Sequence, residues 1–152
     1  MDYPLTQDEF RSIYAKVPRL CVDLVILKEG KVLLTKRKID PYKGLWHLPG
    51  GTVYFGETIK QAISRVALNE LGLTVEMGKL FGYLEFPDEV KNDWHGWPIS
   101  LEIEVKVLDG EVGTNDQADG YDYFSTIPEN TVKSHIGFLA QTLGLEQKVV
   151  KK

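Results

Sequence analysis

Cysteines, methionines and long apolar runs are scarce in this 152-residue chain, which has one cysteine and two methionines. A single cysteine, Cys21, excludes an internal disulfide and is typical of a reducing compartment, and we expect it to be a small buried residue. No apolar run approaches the ~20 residues of a transmembrane helix. The first ten residues have neither the basic segment nor the apolar core of a signal peptide. The sequence therefore predicts a cytoplasmic protein with no membrane partner.

A large excess of either charge is also lacking, because 18 basic residues stand against 22 acidic ones and the net charge is −4. A broad surface for nucleic acid or for an anionic membrane is not expected at this charge. An anionic ligand would instead have to be met by a local cationic pocket. Charged residues make up 26% of the chain, which argues against disorder. At this length we expect one domain, residues 1–152.

The apolar patterns predict helices and strands in mixed order. Thr6 followed by Glu9 is a capping-box pattern for an N-terminal helix over 6–17. Two apolar runs around KEGK, within 19–38, predict a β-hairpin with its turn at Gly30. Further strands are predicted over 79–86, 99–108 and 120–126, and a C-terminal helix over about 132–143. This order indicates an α/β fold, a mixed β-sheet sandwiched between α-helices.

The strand predicted over 99–108 alternates apolar and polar residues, as ISLEIEVKVL. A period of two is typical of a strand with one face on the core and the other in water. The pattern therefore predicts a strand with one wet face.

A glycine-rich turn leading into an amphipathic helix is the most informative segment, GGTVYFGETIKQAISRVALNELGL over 50–73. Apolar residues recur at intervals of three and four residues over 57–71, which predicts a helix that ends at Gly72. The glycines let backbone groups approach a ligand, and the helix N-terminus favours negative charge. Glu57 and Arg65 lie two turns apart on one side, so we expect them to orient each other. The segment is a candidate site for a metal and a phosphate.

The spacing within this segment resembles the Nudix box of Nudix hydrolases. The matching residues follow one another at the spacing of that box: Gly51, Glu57, Arg65, Glu70, Gly72 and Leu73. The preceding KRKIDPYKGLWHLPGG also resembles the strand and loop that lead into the box in that family. The resemblance implies the Nudix fold over nearly the whole chain, with the box at 51–73.

Two carboxylates of the usual box are absent, because Val66 and Asn69 stand where enzymes that attack phosphorus have glutamates. Mg²⁺ takes oxygen ligands, and a cluster of several Mg²⁺ ions needs several carboxylates. Glu70 alone can help to hold one ion. The same two glutamates are missing from the GDP-mannose mannosyl hydrolases, which this sequence resembles. In that subfamily water attacks sugar carbon C1, and the nucleoside diphosphate leaves.

The resemblance implies a set of ligands for one Mg²⁺. The metal would be bound by a backbone carbonyl of Gly50 or Gly51, by Glu70 and by Gln117, which lies in NDQADGYDYF. The implied substrate is a nucleoside diphosphate sugar, and the implied assembly is a homodimer.

The resemblance also implies substrate contacts. Arg37 would bind the diphosphate, since a guanidinium suits phosphate oxygens, and Lys36 would be a second cation beside it. Asp23 stands at a matching place in the first strand, and Thr52 directly follows the glycines, so both are predicted to contact substrate. Arg65 would stabilise the site through its interaction with Glu57.

The group that activates water stays open. The residue after Gln117 is a histidine in the subfamily and is Ala118 here, and an arginine after the glycines is replaced by Thr52. Asp119 and His95 are candidate replacements. A turn or strand-edge role for Asp119 and an ordinary loop role for His95 are the alternatives.

Two other functions also stay open. The first is a pyrophosphohydrolase of ADP-ribose or a similar compound, because KGLWHLPGG is common in that branch of the family. The second is a domain that binds a nucleotide sugar without catalysis, which Ala118 and Thr52 favour.

A few remaining residues carry weaker expectations. Phe10 and Tyr14, four residues apart, are expected to pack on the domain. His47 is expected to pack or to form a hydrogen bond, and His135 to face solvent or the sheet. Trp94 and Trp97 could stack on a ligand or line a dimer interface.

Overall fold

The computed structural model describes residues 3–39, 42–87, 96–113 and 118–147. The predicted positions Trp94, His95 and Gln117 lie outside these ranges. The elements in chain order are α1 (Gln7–Tyr14), β1 (Pro18–Val25), β2 (Leu27–Lys28), β3 (Lys31–Arg37), β4 (Trp46–His47), β5 (Gly50–Thr52), α2 (Ile59–Leu71), β6 (Thr74–Glu85), β7 (Trp97–Asp109), β8 (Ala118–Phe124), β9 (Thr126–Ile127), α3 (Lys133–Gln141) and β10 (Glu146–Gln147).

A four-stranded mixed sheet organises the molecule, with its strands in the order β5-β1-β7-β6. Strands β1 and β7 are parallel, while β5 and β6 are antiparallel to their neighbours. In a second sheet β3 pairs antiparallel with β2, β4 and β8. Strands β9 and β10 form a short parallel pair. No helix in the described ranges is long and apolar enough to cross a membrane.

Helix α2 covers one face of the mixed sheet. It begins after Thr58, whose side chain accepts a hydrogen bond from the N–H of Gln61, and it ends at Gly72 with φ 70°. That left-handed conformation disfavours residues with a Cβ by about 1–2 kcal/mol. The apolar stripe of the helix packs on β1 and β7 in one core, formed by Ala62, Ile63, Val66, Ala67, Leu71, Val22, Leu24, Ile103 and Val105 among others.

The other face of the mixed sheet is covered at Ser100 and Glu102, so the predicted wet face of β7 is wrong there and holds only farther along the strand, where Glu104 is half-buried and Lys106 is exposed. Ser100 is 3% exposed and Glu102 is 0% exposed. Strand β7 is central in the sheet, and α3 lies over this face, where Phe138 contacts Phe81 of β6 with ring centroids 5.8 Å apart. Two polar residues of this alternating strand, Ser100 and Glu102, are therefore buried.

Helix α1 has the predicted capping box but no buried residue. Phe10 and Tyr14 do contact each other edge to face, with ring centroids 4.8 Å apart and an angle of 64° between the ring planes. Because the helix contributes nothing to the core, its aromatic face is available to line an opening in the surface.

Candidate active site

A cleft of about 540 Å³ opens beside the glycine-rich turn that leads into α2. It is bordered by parts of α1, β1, β3, β5, α2 and α3. The cleft brings together most of the site residues predicted from the sequence: Asp23, Arg37, Gly50, Gly51, Thr52, Arg65 and Glu70.

Two predicted site residues are not brought to this cleft. Lys36 does not line it, because neighbouring residues of a strand point to opposite faces. Its Nζ lies 6.0 Å from the ring centroid of Trp46 instead. Asp119 is exposed on β8 and does not line the cleft either. This placement does not support the predicted substrate contact of Lys36 or the predicted catalytic role of Asp119, and both stay predictions.

Arg65 and Glu57 form a bidentate ion pair that joins α2 to the glycine-rich turn. Arg65 Nε donates to Glu57 Oε2 at 2.7 Å and Nη2 donates to Oε1 at 3.0 Å. Nη2 also donates to the carbonyl of Thr52 at 2.7 Å, and the N–H of Tyr54 donates to Glu57 Oε1 at 2.7 Å. The hydrogen bond from Arg65 lowers the pKa of Glu57 below its ordinary value. The pair is therefore charged and holds the turn in place.

The cleft side of α2 carries one carboxylate. Glu70 is half-buried and lines the cleft, and Asn69 lines it as an exposed residue. Val66 is 1% exposed and belongs to the apolar core. A Cβ built on Gly51 would lie 3.2 Å from Val66 Cγ2, so the turn packs tightly on the helix at this point. Position 66 is thus a packing position that also reaches the cleft wall.

Gly50 is held closely against β1. A Cβ at this position would clash with Asp23 Oδ1 and with the carbonyl of Val22, so any larger residue would push the two strands apart. Only glycine keeps this backbone beside the cleft.

The donors in this part of the cleft fit Mg²⁺. A carboxylate from Glu70 and backbone carbonyls of Gly50 and Gly51 are the oxygen ligands that Mg²⁺ takes, usually together with water. In the part of the chain that the structure describes, no group of three or more His, Cys, Asp or Glu residues could hold a metal. A metal here would therefore depend on carbonyl, amide and water oxygens in addition to Glu70.

Arg19 is a cationic residue of the cleft that is not among the site residues predicted from the sequence. Its Nη1 donates to Thr52 Oγ1 at 2.9 Å and to Cys21 Sγ at 3.1 Å. Its Cζ lies 5.4 Å from the ring centroid of Phe10. Arg19, Cys21 and Asp23 alternate along β1 and all line the cleft, so the period of two was the signal that could have identified Arg19.

The floor of the cleft is polar and buried. His135 Nε2 lies 3.4 Å from Asp23 Oδ2, and His135 Nδ1 accepts a hydrogen bond from the N–H of Leu48 at 3.1 Å. Burial opposes the ionisation of Asp23, but the contacts with His135 outweigh it and the pKa of Asp23 is lowered. Of the two predicted orientations for His135, the one toward the sheet is the one observed.

His47 borders the same floor and stays neutral. Burial, more than any other cause, lowers the pKa of His47 to about 3. Its Nε2 lies 3.2 Å from Thr35 Oγ1, in agreement with the predicted packed or hydrogen-bonded role.

Glu102 lies next to Asp23 in the register of β1 and β7 and below the cleft floor. No N–H or O–H group of the described residues donates to either of its carboxyl oxygens. Burial, and then the negative charge of Asp23, raise the pKa of Glu102 to about 12. Glu102 is therefore protonated at neutral pH, whereas Asp23 is ionised.

We expect Glu102→Gln to stabilise the protein increasingly as the pH rises. The folded state keeps Glu102 protonated far above 4.5, its ordinary pKa, whereas the unfolded state releases that proton near 4.5. The free energy of unfolding of the parent therefore falls with rising pH, by up to about 1.4 kcal/mol per pH unit from this group. Glutamine is neutral at every pH, so the free energy of unfolding of the variant does not fall with pH through this position. Urea unfolding at pH 5, 7 and 8.5 measures the difference, and a constant difference would contradict a protonated Glu102.

Known proteins share this fold. The family model of the NUDIX domain matches residues 17–125, well over half of the chain. The chain belongs to the Nudix family. The glycine-rich turn and α2, for which the sequence predicts the Nudix box, lie inside the matched residues.

Two characterised relatives match the Nudix region. The ADP-ribose pyrophosphatase of Methanocaldococcus jannaschii is 38% identical over 107 residues, which are 70% of this chain and 62% of that protein. The low-salt glycan biosynthesis protein Agl8 of Haloferax volcanii is 46% identical over 87 residues, 55% of this chain and 56% of that protein. The match thus spans less than two thirds of either relative.

Solved structures confirm the predicted Nudix fold. A MutT Nudix hydrolase from Burkholderia pseudomallei superposes with a TM-score of 0.71 at 25% identity, covering 80% of this chain and 95% of the other. An ADP-ribose pyrophosphatase from Streptococcus suis superposes with a TM-score of 0.63 at 26% identity, covering 84% and 89%.

Proposed function

We propose that this Nudix domain hydrolyses a nucleoside diphosphate sugar of the GDP-mannose kind with one Mg²⁺, through attack of water on the sugar carbon that bears the diphosphate. The observation that carries the proposal is that α2, which is described in full, presents a single carboxylate to the cleft, Glu70. A buried valine and an amide stand at the other two positions, Val66 and Asn69. One metal can serve a leaving group, whereas attack on phosphorus is commonly served by several.

The chain's own residues would bind and orient the substrate. Arg37 and Arg19 border the cleft and supply positive charge for diphosphate oxygens. The ion pair of Arg65 with Glu57 fixes the backbone of the turn, including the Thr52 carbonyl. A Mg²⁺ ion held by Glu70, a carbonyl of Gly50 or Gly51, and Gln117 would neutralise charge on the departing diphosphate.

The proposed reaction breaks the bond between the sugar carbon and the diphosphate oxygen. A new bond forms between the same carbon and the oxygen of water, and one proton is released. The products are a nucleoside diphosphate and a free sugar. The homodimer and the cytoplasmic location implied by the sequence remain proposals beside this reaction.

A second candidate is a pyrophosphohydrolase of ADP-ribose, which cuts between the two phosphates. The names of the M. jannaschii relative and of the S. suis structure favour it. The single carboxylate on the cleft side of α2 weighs against it, because fewer metals could be held on the phosphates.

Product analysis distinguishes the two candidates. Purified protein is incubated with Mg²⁺ and GDP-mannose or ADP-ribose, and the products are separated by anion exchange. GDP with free reducing sugar from GDP-mannose supports attack on carbon. GMP with mannose 1-phosphate, or AMP with ribose 5-phosphate from ADP-ribose, supports attack on phosphorus and contradicts the first proposal. Binding of either compound without any product would leave only a nucleotide-sugar-binding domain.

A further inference from the structure

Two buried polar atoms on the cleft floor lack a hydrogen-bond partner. Asp23 Oδ2 and His135 Nε2 accept or donate no hydrogen bond of good geometry among the described residues. Asp23 is 7% exposed and His135 is 3% exposed, yet both residues line the cleft. Buried polar atoms are rarely left unpaired, because each would forfeit the hydrogen bonds it makes in water. The pair is therefore suited to a polar group that enters from the cleft.

The hydrogen bond that His135 already accepts restricts what that group can be. The N–H of Leu48 donates to His135 Nδ1, so a neutral imidazole carries its proton on Nε2. The pair thus offers one N–H donor and one carboxylate acceptor, 3.4 Å apart. A hydroxyl oxygen about 2.8 Å from both atoms can accept from His135 and donate to Asp23. A phosphate oxygen would be repelled by Asp23, and an ammonium group could not accept from His135.

The position of the pair indicates which hydroxyl it meets. Asp23 is paired with Gly50 in the register of β1 and β5, and Gly50 begins the turn that leads to α2. The floor is therefore adjacent to the turn at which the proposed function places the metal and the diphosphate. A sugar bonded directly to the diphosphate is the part of the substrate that lies within reach.

We propose that the Asp23 carboxylate and the His135 Nε2–H together bind one hydroxyl group of the sugar attached to the diphosphate. This inference rests on the proposed function, because it takes the ligand to be a nucleoside diphosphate that carries a sugar. Asp23 and His135 then determine the preference for a sugar nucleotide over the nucleoside diphosphate alone.

The two amide variants of His135 separate ligand binding from folding. In His135→Asn the amide oxygen can take the place of Nδ1 and accept from Leu48, while the donor toward Asp23 is lost. In His135→Gln the amide reaches the place of Nε2 and can retain a donor toward the ligand. Thermal unfolding of both variants checks that they fold.

Calorimetric titration of the full chain measures the binding of GDP-mannose, GDP, ADP-ribose and ADP. Ca²⁺ replaces Mg²⁺, since it takes oxygen ligands too, and product analysis of the mixture checks that the ligand is intact. His135→Asn is expected to raise the Kd of the sugar nucleotide that binds to the wild type by about ten-fold, with the Kd of the nucleoside diphosphate within about two-fold of the wild type. His135→Gln should restore part of the loss.

A double-mutant cycle tests whether both residues meet the same hydroxyl. Asp23→Asn should also weaken sugar-nucleotide binding, and the loss in the double variant should be smaller than the product of the two single losses.

Three results would overturn the inference. Unchanged sugar-nucleotide affinity in a folded His135→Asn would mean that the pair holds only water. An equal loss for GDP that disappears with 2′,3′-dideoxy-GDP would place the nucleoside ribose there instead. A wild-type protein that binds neither sugar nucleotide would overturn the proposed function and this inference together, whereas the first two results leave the proposed function standing.

Discussion

Glu70→Gln is expected to lower kcat by at least about 10³-fold while the protein stays folded. A neutral amide is a much weaker Mg²⁺ ligand than a carboxylate. No carboxylate on the same side of α2 can replace it, because Val66 is buried in the core and Asn69 is itself an amide. Glu70 is only half-buried and glutamine has the same shape, so the free energy of unfolding should change little.

Steady-state kinetics at saturating Mg²⁺ and a Mg²⁺ titration measure this effect. Glu76→Gln is the matched control, because Glu76 is an exposed carboxylate of β6 that does not line the cleft. It should keep nearly full activity. A Glu70→Gln variant with more than a tenth of the parent's kcat would show that the metal is held elsewhere.

Arg65→Leu is expected to lower the free energy of unfolding by about 3 kcal/mol. The side chains of Arg65 and Glu57 are 13% and 11% exposed, so removing the arginine leaves a largely buried carboxylate without its charge partner. The variant also loses the hydrogen bond to the Thr52 carbonyl and the contact with the Tyr54 ring, 3.5 Å from Arg65 Cζ to its centroid. Activity should fall as well, because the glycine-rich turn is no longer fixed to α2.

Urea unfolding of the single variants and of the double variant Glu57→Leu, Arg65→Leu measures the coupling. The double variant should be more stable than the two single losses would predict, since neither charge is then left alone. Arg11→Leu, which removes an exposed arginine of α1, is the control and should change stability by less than about 0.5 kcal/mol. Additive losses in the double variant would mean that the ion pair contributes little.

Elements with local signals could be predicted from the sequence. Helix α2 has apolar residues at intervals of three and four and a glycine at its end. The sequence predicts its first residue to within two positions of the observed one. The capping box of α1 was equally local. The spacing typical of the Nudix box predicted the fold. It also identified most of the predicted residues that line the cleft, because those residues lie on one turn and one helix.

Features that depend on strand order could not be predicted from such patterns. The alternation in β7 correctly indicates a strand, but nothing local says that β7 is central in its sheet and that its polar face is covered at Ser100 and Glu102. Glu102 therefore looked like a solvent-exposed residue, although it is fully buried beside Asp23. His135 is similar, since its approach to Asp23 joins two elements more than one hundred residues apart in the chain.

Val66 shows how a missing ligand and a packing residue can be the same position. The sequence marks it as a lost carboxylate, whereas the structure places its methyl groups in the core and against the turn at Gly51. A glutamate at this position would have to bury a charge unless a metal met it. The departure from the usual box is thus built into the packing of α2.

The position of bond cleavage is the central claim, and hydrolysis of a nucleoside diphosphate sugar in ¹⁸O-labelled water tests it most directly. GDP-mannose and Mg²⁺ are mixed with enzyme in molar excess over GDP-mannose, so that each enzyme molecule turns over once at most. Mass spectrometry then locates the label in the products. Attack on carbon puts the label in the free sugar and leaves GDP unlabelled, which is the predicted result. Label in a phosphate group of either product would contradict the account and would mean that Glu70, without a second carboxylate on α2, still supports attack on phosphorus.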